Sequence, residues 1–194
     1  MKQRGFTLIE LLVGLILSSV LAQLAAPSFK GLLESQRRQS AAETLAAGLR
    51  YARTEAITRN RTVVIHALDN DWSLGWRVVL DLNGRGHLDE GNPVLLERQD
   101  SGRIPIVGNT PVRTQIRFSG LGEPLLSAAG GFRAGTVHVC ATDQQLSLYQ
   151  VVLAPTGRIS LRNNKTEQPL CRGYVGSTGL RAANEPAAPW AWRR

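Results

Sequence analysis

Residues 6 to about 59 are predicted to form one long helix with two different halves. Residues 6–26 are apolar almost without interruption, which is long enough to span a bilayer as one helix. Further along, apolar side chains recur at helical spacing, so one face is expected to pack on a sheet. These side chains are Leu45, Leu49, Ala52 and Ala56. Because a long helix can absorb the kink at Pro27, the helix is expected to run from residue 6 to about residue 59.

Beyond residue 60 the pattern changes to that of strands. Six segments rich in β-branched or aromatic residues alternate with clusters of Gly, Asn, Asp and Pro, which is typical of antiparallel hairpins. The segments are TVVIHAL, GWRVVLDL, PVLLER, TQIRF, GTVHVCA and LSLYQVVLAPTGRISL. Residues 176–194 have little to bury and are expected to be a disordered tail. The order predicts an α+β chain in which the long N-terminal helix packs on an antiparallel β-sheet head.

One carboxylate interrupts the apolar run. Glu10 lies four residues past the start of the run, and a carboxylate inside a membrane is costly unless it is paired. Lys2 and Arg4 precede the run and are expected to stay on the cytoplasmic side. No cleavage site of the A-x-A kind directly follows the run, so the apolar segment is expected to be retained.

Residues 5–10, GFTLIE, resemble the cleavage and methylation motif of type IV prepilins and type II secretion pseudopilins. The resemblance implies that prepilin peptidase cuts after Gly5 and methylates the new N-terminus, Phe6. It also implies that Glu10 neutralises the terminal amine of a neighbouring subunit during assembly, although helix geometry also allows pairing with its own amine. The alternative is an uncleaved membrane anchor in which Glu10 pairs with a lipid head group.

Two stretches beyond the helix, residues 71–86 and 151–161, resemble the GspH/FimT family of minor pilins and pseudopilins. The resemblance implies a single-pass protein of the bacterial inner membrane with a periplasmic head, assembled with other pilins into a type IV pilus. The alternative is an H-type pseudopilin of a type II secretion system. The expected organisation is a leader (1–5), a transmembrane assembly helix (6–27), an amphipathic helix (28–60), a β-rich head (61–175) and the tail (176–194).

Composition adds two expectations. There are 23 Lys and Arg residues against 15 Asp and Glu, and the formal charge of +8 suits phosphates or anionic surfaces as partners. Cys140 and Cys171 follow a segment that sends the chain across a membrane, so a disulfide between them is expected.

Metal binding and catalysis are not expected. Four residues partly match a calcium loop, but Arg85 and Asn92 stand where oxygen ligands are wanted, so a hairpin turn is favoured. The four are Asp81, Asn83, Gly86 and Asp89. The three histidines, which share no metal-binding spacing, are His66, His87 and His138. Since no motif of a hydrolase, a nucleotide-binding loop, a zinc protease or a C-x-x-C site is present, neither an enzyme nor a cofactor is expected.

The positive charge is concentrated near the C-terminus, where residues 158–194 hold seven basic and two acidic side chains, +5 of the formal +8. In a strand RISLR, Arg158, Ser160 and Arg162 share one face, so a phosphate backbone can lie across the two arginines. The DNA-binding candidates are Arg158, Arg162, Lys165 and Arg172, and the aromatic residues that can stack on bases are Tyr174, Trp190 and Trp192.

This arrangement resembles that of some FimT-type pilins that bind DNA for natural transformation through a C-terminal motif G-R-x-R. This chain has GRIS over 157–160, with the second arginine two positions later. The alternative is a solvated basic edge that discourages strand pairing.

Overall fold

The computed structural model describes residues 7–86, 91–125 and 134–172, without the side chains of residues 22–28 and 30. The chain divides into two compact units, Met1–Gln39 and Ser40–Arg194. Several predictions lie outside the described residues. They concern Gly5, Phe6, His87, Asp89, Tyr174 and the tail over 176–194.

A single helix, α1 (Leu8–Arg59), contains Pro27 and confirms that the proline does not end the helix. Asn60 follows with φ +47°, the left-handed conformation common just after a helix. The Arg61 N–H donates to the Ala56 carbonyl at 3.1 Å, which satisfies one of the last carbonyls of the helix. Over the part of the chain that is described, no helix is both long enough and apolar enough to cross a membrane.

The described residues form ten strands in two sheets. The strands are β1 (Val63–Ala67), β2 (Gly75–Leu80), β3 (Val94–Gln99), β4 (Ile106–Gly108), β5 (Gln115–Phe118), β6 (Pro124–Leu125), β7 (Gly135–Cys140), β8 (Leu146–Leu153), β9 (Ile159–Arg162) and β10 (Thr166–Glu167). The first sheet has the order β3-β2-β1-β5-β6. The second has the order β10-β8-β7-β4, and β9 also pairs with β8. The α+β class with a long N-terminal helix on antiparallel strands is confirmed, with two sheets where one was expected.

One core joins the second half of α1 to both sheets. The predicted helix face is buried, since Leu45, Leu49, Ala52 and Ala56 are all within the core cluster. From the first sheet the cluster takes Ile65 and Phe118, among others, and from the second sheet Val137, Val151 and Leu153. Burial of this apolar surface is the main term that stabilises the unit Ser40–Arg194.

Gly48 allows α1 to approach Trp76 of the first sheet closely. Gly48 faces the Trp76 indole so closely that a Cβ on Gly48 would lie 2.5 Å from a ring carbon. The Trp72 indole N–H donates to the Val112 and Arg113 carbonyls at 3.1 and 2.9 Å. Both tryptophans are therefore fixed parts of the core.

Candidate functional site

The basic candidates lie within residues 158–172, which we call the basic segment and which contains strands β9 and β10 of the second sheet. Strand β7 pairs with β8 along its length, and β9 and β10 both pair with the other edge of β8. Arg158, Arg162, Lys165 and Arg172 are all exposed. Arg158, Arg162 and Lys165 therefore lie along the β9 and β10 side of the second sheet, whereas Arg172 follows Cys171, which is bonded to Cys140 of β7.

Arg158 lies at the tip of the β8–β9 hairpin. The Gly157 N–H donates to the Ala154 carbonyl, and the Ala154 N–H donates to the Arg158 carbonyl, each at 2.9 Å. Gly157 has φ +77°, and a Cβ there would lie 2.1 Å from the Gly122 carbonyl oxygen. The glycine before Arg158 is thus required by the backbone and by packing, whatever the arginine binds.

Arg53 of α1 holds the same corner. Its Nε donates to the Gly122 carbonyl at 2.9 Å, and a Cβ on Gly157 would also lie 2.8 Å from that Nε. A second guanidinium therefore lies beside the hairpin tip that carries Arg158. The sequence pattern did not indicate Arg53, because the contact joins residues 69 positions apart.

The two faces of β9 agree with the predicted alternation. Ile159 and Leu161 pack against the core cluster, while Arg162 is exposed and lies opposite Gln150 of β8. Four strand residues correspond to about 13 Å, so Arg158 and Arg162 can contact separate phosphates rather than clamp one. This spacing suits a phosphate backbone that runs along β9.

Two tethers hold the rest of the basic segment against the sheet. Cys140 and Cys171 form a disulfide with their Cα atoms 5.6 Å apart, which confirms the predicted pairing and fixes the chain next to Arg172. The Gln150 Nε2 donates to the Asn164 carbonyl at 2.9 Å and fixes the chain next to Lys165. The segment is thereby anchored on both sides of β10.

A buried polar network adjoins the Gln150 tether, since Gln150 Nε2 also donates to the Ser147 hydroxyl. The Ser147 hydroxyl donates to the Tyr149 carbonyl at 3.2 Å, so it accepts from His138 Nδ1, 3.0 Å away. The Gln168 amide nitrogen lies 3.1 Å from His138 Nε2, while its oxygen accepts from the Leu170 N–H. These partners assign a neutral ring protonated on Nδ1. Burial lowers the pKa of His138 below its ordinary value, which also favours the neutral ring.

The loop that resembled a calcium site is organised by an ion pair. Asp81 Oδ2 accepts from Arg117 Nη2 at 2.6 Å, and Oδ1 accepts from the Gly84 N–H at 2.8 Å. The Asn92 side chain accepts from the Leu82 N–H and donates to the Gly86 carbonyl. The loop connects the paired strands β2 and β3, as the favoured hairpin interpretation required.

At the other end of the chain, Glu10 lies in the first turn of α1. Its N–H is 3.4 Å from the Thr7 hydroxyl, and no cation among the described residues pairs with its carboxylate. Large apolar side chains are exposed on both sides of it, including Ile9 and Leu11. The Glu10 carboxylate therefore lies on an exposed apolar surface of α1, without a cation partner among the described residues.

A long helix whose second half packs on antiparallel sheets is the architecture of pilin-like subunits. Residues 41–157 match the family described as type II transport protein GspH, and residues 1–22 match the prokaryotic N-terminal methylation motif. The chain belongs to the GspH family, within the class of minor type IV pilins and pseudopilins, which are structural proteins. The GspH match ends at residue 157, immediately before the basic segment.

Two crystal structures of the type IV minor pilin FimU of Pseudomonas aeruginosa strain PAO1 have the same fold. One is 25% identical with a TM-score of 0.52, over 69% of this chain and 98% of that chain. The other is 25% identical with a TM-score of 0.53, over 71% of this chain and 97% of that chain. No curated protein sequence matches the chain.

Proposed function

We propose that this chain is a minor pilin that prepilin peptidase cleaves after Gly5 and methylates at Phe6, and that enters a type IV pilus through its N-terminal helix. The observation that carries the proposal is the surface of α1 over residues 8–21. It exposes large apolar side chains around Glu10, a carboxylate without a cation in the described chain. Such a contiguous apolar surface marks a contact with membrane or protein.

The proposed partner of Glu10 is the terminal amine of a neighbouring subunit. After cleavage, the positive amine of Phe6 starts the helix one turn before Glu10, so neighbouring helices in similar register place amine and carboxylate together. Before assembly, residues 6–27 hold the subunit in the inner membrane with its head in the periplasm. Part of this segment, residue 6 and the side chains of residues 22–27, lies outside the described residues.

The test of assembly compares Glu10→Ala with Glu34→Ala. Both substitutions remove one carboxylate from α1, but Glu34 already has an intrahelical partner in Arg38. Cleavage by prepilin peptidase, followed as an electrophoretic shift, is expected to be unchanged in both variants. Recovery in sheared pilus fractions is expected to fall for Glu10→Ala only, and equal recovery of the two variants would contradict the pairing. A substitution of Gly5 is expected to abolish the shift.

The family match also favours a second assembly, the pseudopilus of a type II secretion system, because the matched family is described by type II transport. The two filaments require different partner subunits. Crosslinking in cells, followed by identification of the attached pilins or pseudopilins, separates them. If only type II secretion pseudopilins are captured, the filament that this chain enters is the pseudopilus and not the pilus. The proposed role of Glu10 is the same in both filaments.

We further propose that the basic segment binds DNA at the pilus tip. Support comes from four exposed cations within the tethered basic segment, three of them along the β9 and β10 side of the second sheet and Arg158 at the tip of a hairpin. Because binding to phosphates releases counterions, affinity is expected to fall steeply with salt. None of this requires base-specific contacts.

The DNA test uses the full chain in detergent micelles and a labelled duplex across a salt series. Replacing both Arg158 and Arg162 with alanine is expected to reduce the slope of log affinity against log salt by about 1 to 2. Arg98→Ala is the matched control, because Arg98 is an exposed arginine on strand β3 of the other sheet. Absence of binding at low salt, or an equal slope for all three proteins, would leave the segment as a solvated basic edge.

A further inference from the structure

Arg53 of α1 carries hydrogen-bond donors that the described part of the chain does not use. Its Nε donates to the Gly122 carbonyl at 2.9 Å, and this is the only hydrogen bond of its side chain among the described residues. A guanidinium has five N–H groups, so the four on the two terminal nitrogens have no acceptor there. Arg53 is partly exposed, and neither terminal nitrogen is among the buried atoms without a partner, so both are accessible to solvent.

Two glycines make the space in which this guanidinium lies. Gly122 has φ +78°, and a Cβ there would lie 2.6 Å from Ile57 Cδ1 and 3.1 Å from Arg53 Nε. Gly157 has φ +77°, and a Cβ there would lie 2.8 Å from the same Nε. A side chain at either glycine would displace the arginine or the turn. Arg53 is therefore held in place by the helix on one side and by the two hairpin turns on the other.

Arg158 lies close enough to Arg53 for both to contact one DNA strand. Consecutive Cα atoms are about 3.8 Å apart and Gly157 lies against Arg53 Nε, so the Arg158 Cα is within about 8 Å of that nitrogen. No carboxylate among the described residues pairs with either guanidinium, including that of Glu123, which follows Gly122 directly. Two uncompensated positive charges this close repel each other, and a bound anion offsets that cost.

We propose that Arg53 is a fifth phosphate-binding residue of the DNA contact, and that Arg53 and Arg158 contact neighbouring phosphates of one strand. The inference rests on the proposed binding of DNA by the basic segment and extends that contact onto α1. Because Nε fixes the Arg53 guanidinium, its terminal amino groups are preorganised donors and lose little freedom when they bind a phosphate. Hydrogen bonds from a guanidinium to a phosphate are charge-assisted and therefore strong.

The test measures the affinity of the full chain in detergent micelles for a labelled duplex across a salt series. The variants are Arg53→Gln, Arg158→Gln and the double variant. Each phosphate contact contributes about 1 to the slope of log affinity against log salt, so each single substitution is expected to reduce the slope by about 1 and the double substitution by about 2. Arg98→Gln removes an exposed arginine from β3 of the other sheet and is expected to leave the slope unchanged.

Arg53→Lys separates a phosphate contact from a structural role. Lysine keeps the positive charge but lacks the Nε bond to Gly122, and this variant is expected to retain the wild-type slope. An equal reduction in the lysine and glutamine variants would trace the loss to the Gly122 bond and overturn the proposal. Equal slopes for Arg158→Gln and the double variant would also overturn it, since Arg53 would then act only by holding the hairpin tip.

The remaining outcomes distinguish this inference from the proposed function. If the wild type binds DNA and Arg53→Gln has an unchanged slope, Arg53 is not a phosphate ligand and the basic segment alone makes the contact. If the wild type does not bind the duplex at low salt, the Arg53 site and the proposed DNA contact are both overturned.

Discussion

The two halves of α1 contain the same kinds of apolar side chain and place them in opposite environments. Leu45 and Leu49 are 2% and 0% exposed, whereas Leu11 and Leu15 are 61% and 63% exposed. Helix propensity does not distinguish these leucines. The difference arises because strands of the same chain cover the second half, while no described residue covers the first.

The carboxylates of Asp81 in the head and Glu10 in the first half of α1 differ in the same way as the leucines. Asp81 is fully buried and is compensated by Arg117 and by the Gly84 N–H. Glu10 is surrounded by exposed apolar side chains and has no cation partner among the described residues. Residues of the head therefore compensate the carboxylate of Asp81, whereas no described residue compensates that of Glu10. Substitutions in the head should therefore change stability, and substitutions in the N-terminal segment should change assembly.

The largest effect on stability is expected for Arg117→Ala. It leaves Asp81 buried without its cation, and breaking a buried pair from one side costs about 3 to 5 kcal/mol. Arg77→Ala is the control, since it breaks the partly exposed pair with Glu97 and should cost about 0 to 1 kcal/mol. Urea unfolding followed by tryptophan fluorescence measures both. Equal losses would show that Asp81 gains little from its partner.

A pair of leucine substitutions tests the contrast within α1 directly. Leu49→Ala removes a fully buried side chain and should lower the free energy of unfolding by about 3 kcal/mol. Leu15→Ala should change the unfolding of the head by no more than about 0.5 kcal/mol. Recovery in pilus fractions should follow the reverse order once expression levels are matched. A stability loss of similar size in both variants would contradict the division of the helix.

Much of the fold could be predicted because it rests on local periodicity. The face of Leu45, Leu49, Ala52 and Ala56 is buried as expected, and the six predicted strand segments overlap seven of the strands in the described structure. The strands that were not predicted are β4, β6 and β10, each two or three residues long. Such short strands are defined by their partners, so no alternation within them can indicate their presence.

The candidate site was less predictable. The Cys140–Cys171 pairing followed from a count of two cysteines, and the strand face of Arg162 followed from alternation. The contact of Arg53 with Gly122 and the network around His138 join distant segments through single side chains. Sequence spacing contains no signal for them. The glycine before Arg158 illustrates the same limit, because packing against Gly122 explains it as well as a binding motif does.

The smallest effect on stability is expected from protonation of His138, which is buried and uncharged beside the Gln150 tether of the basic segment. Because burial lowers the pKa of His138, the unfolded chain binds a proton more readily than the folded chain. This contribution to stability is therefore fully present above the ordinary histidine pKa of 6.5 and is lost as pH falls below it toward the folded value. One proton limits the slope to about 1.4 kcal/mol per pH unit.

His138→Gln removes the titration while keeping a polar side chain beside Ser147. Urea unfolding between about pH 5 and 7.5 should give a wild-type stability that rises with pH in the range around the histidine pKa. The variant should show a shallower rise, and since His66 and His87 remain in both proteins, the difference between the curves isolates His138. Identical curves would mean that folding does not change the proton affinity of His138. The Nδ1-protonated network that holds the basic segment would then not require a neutral ring.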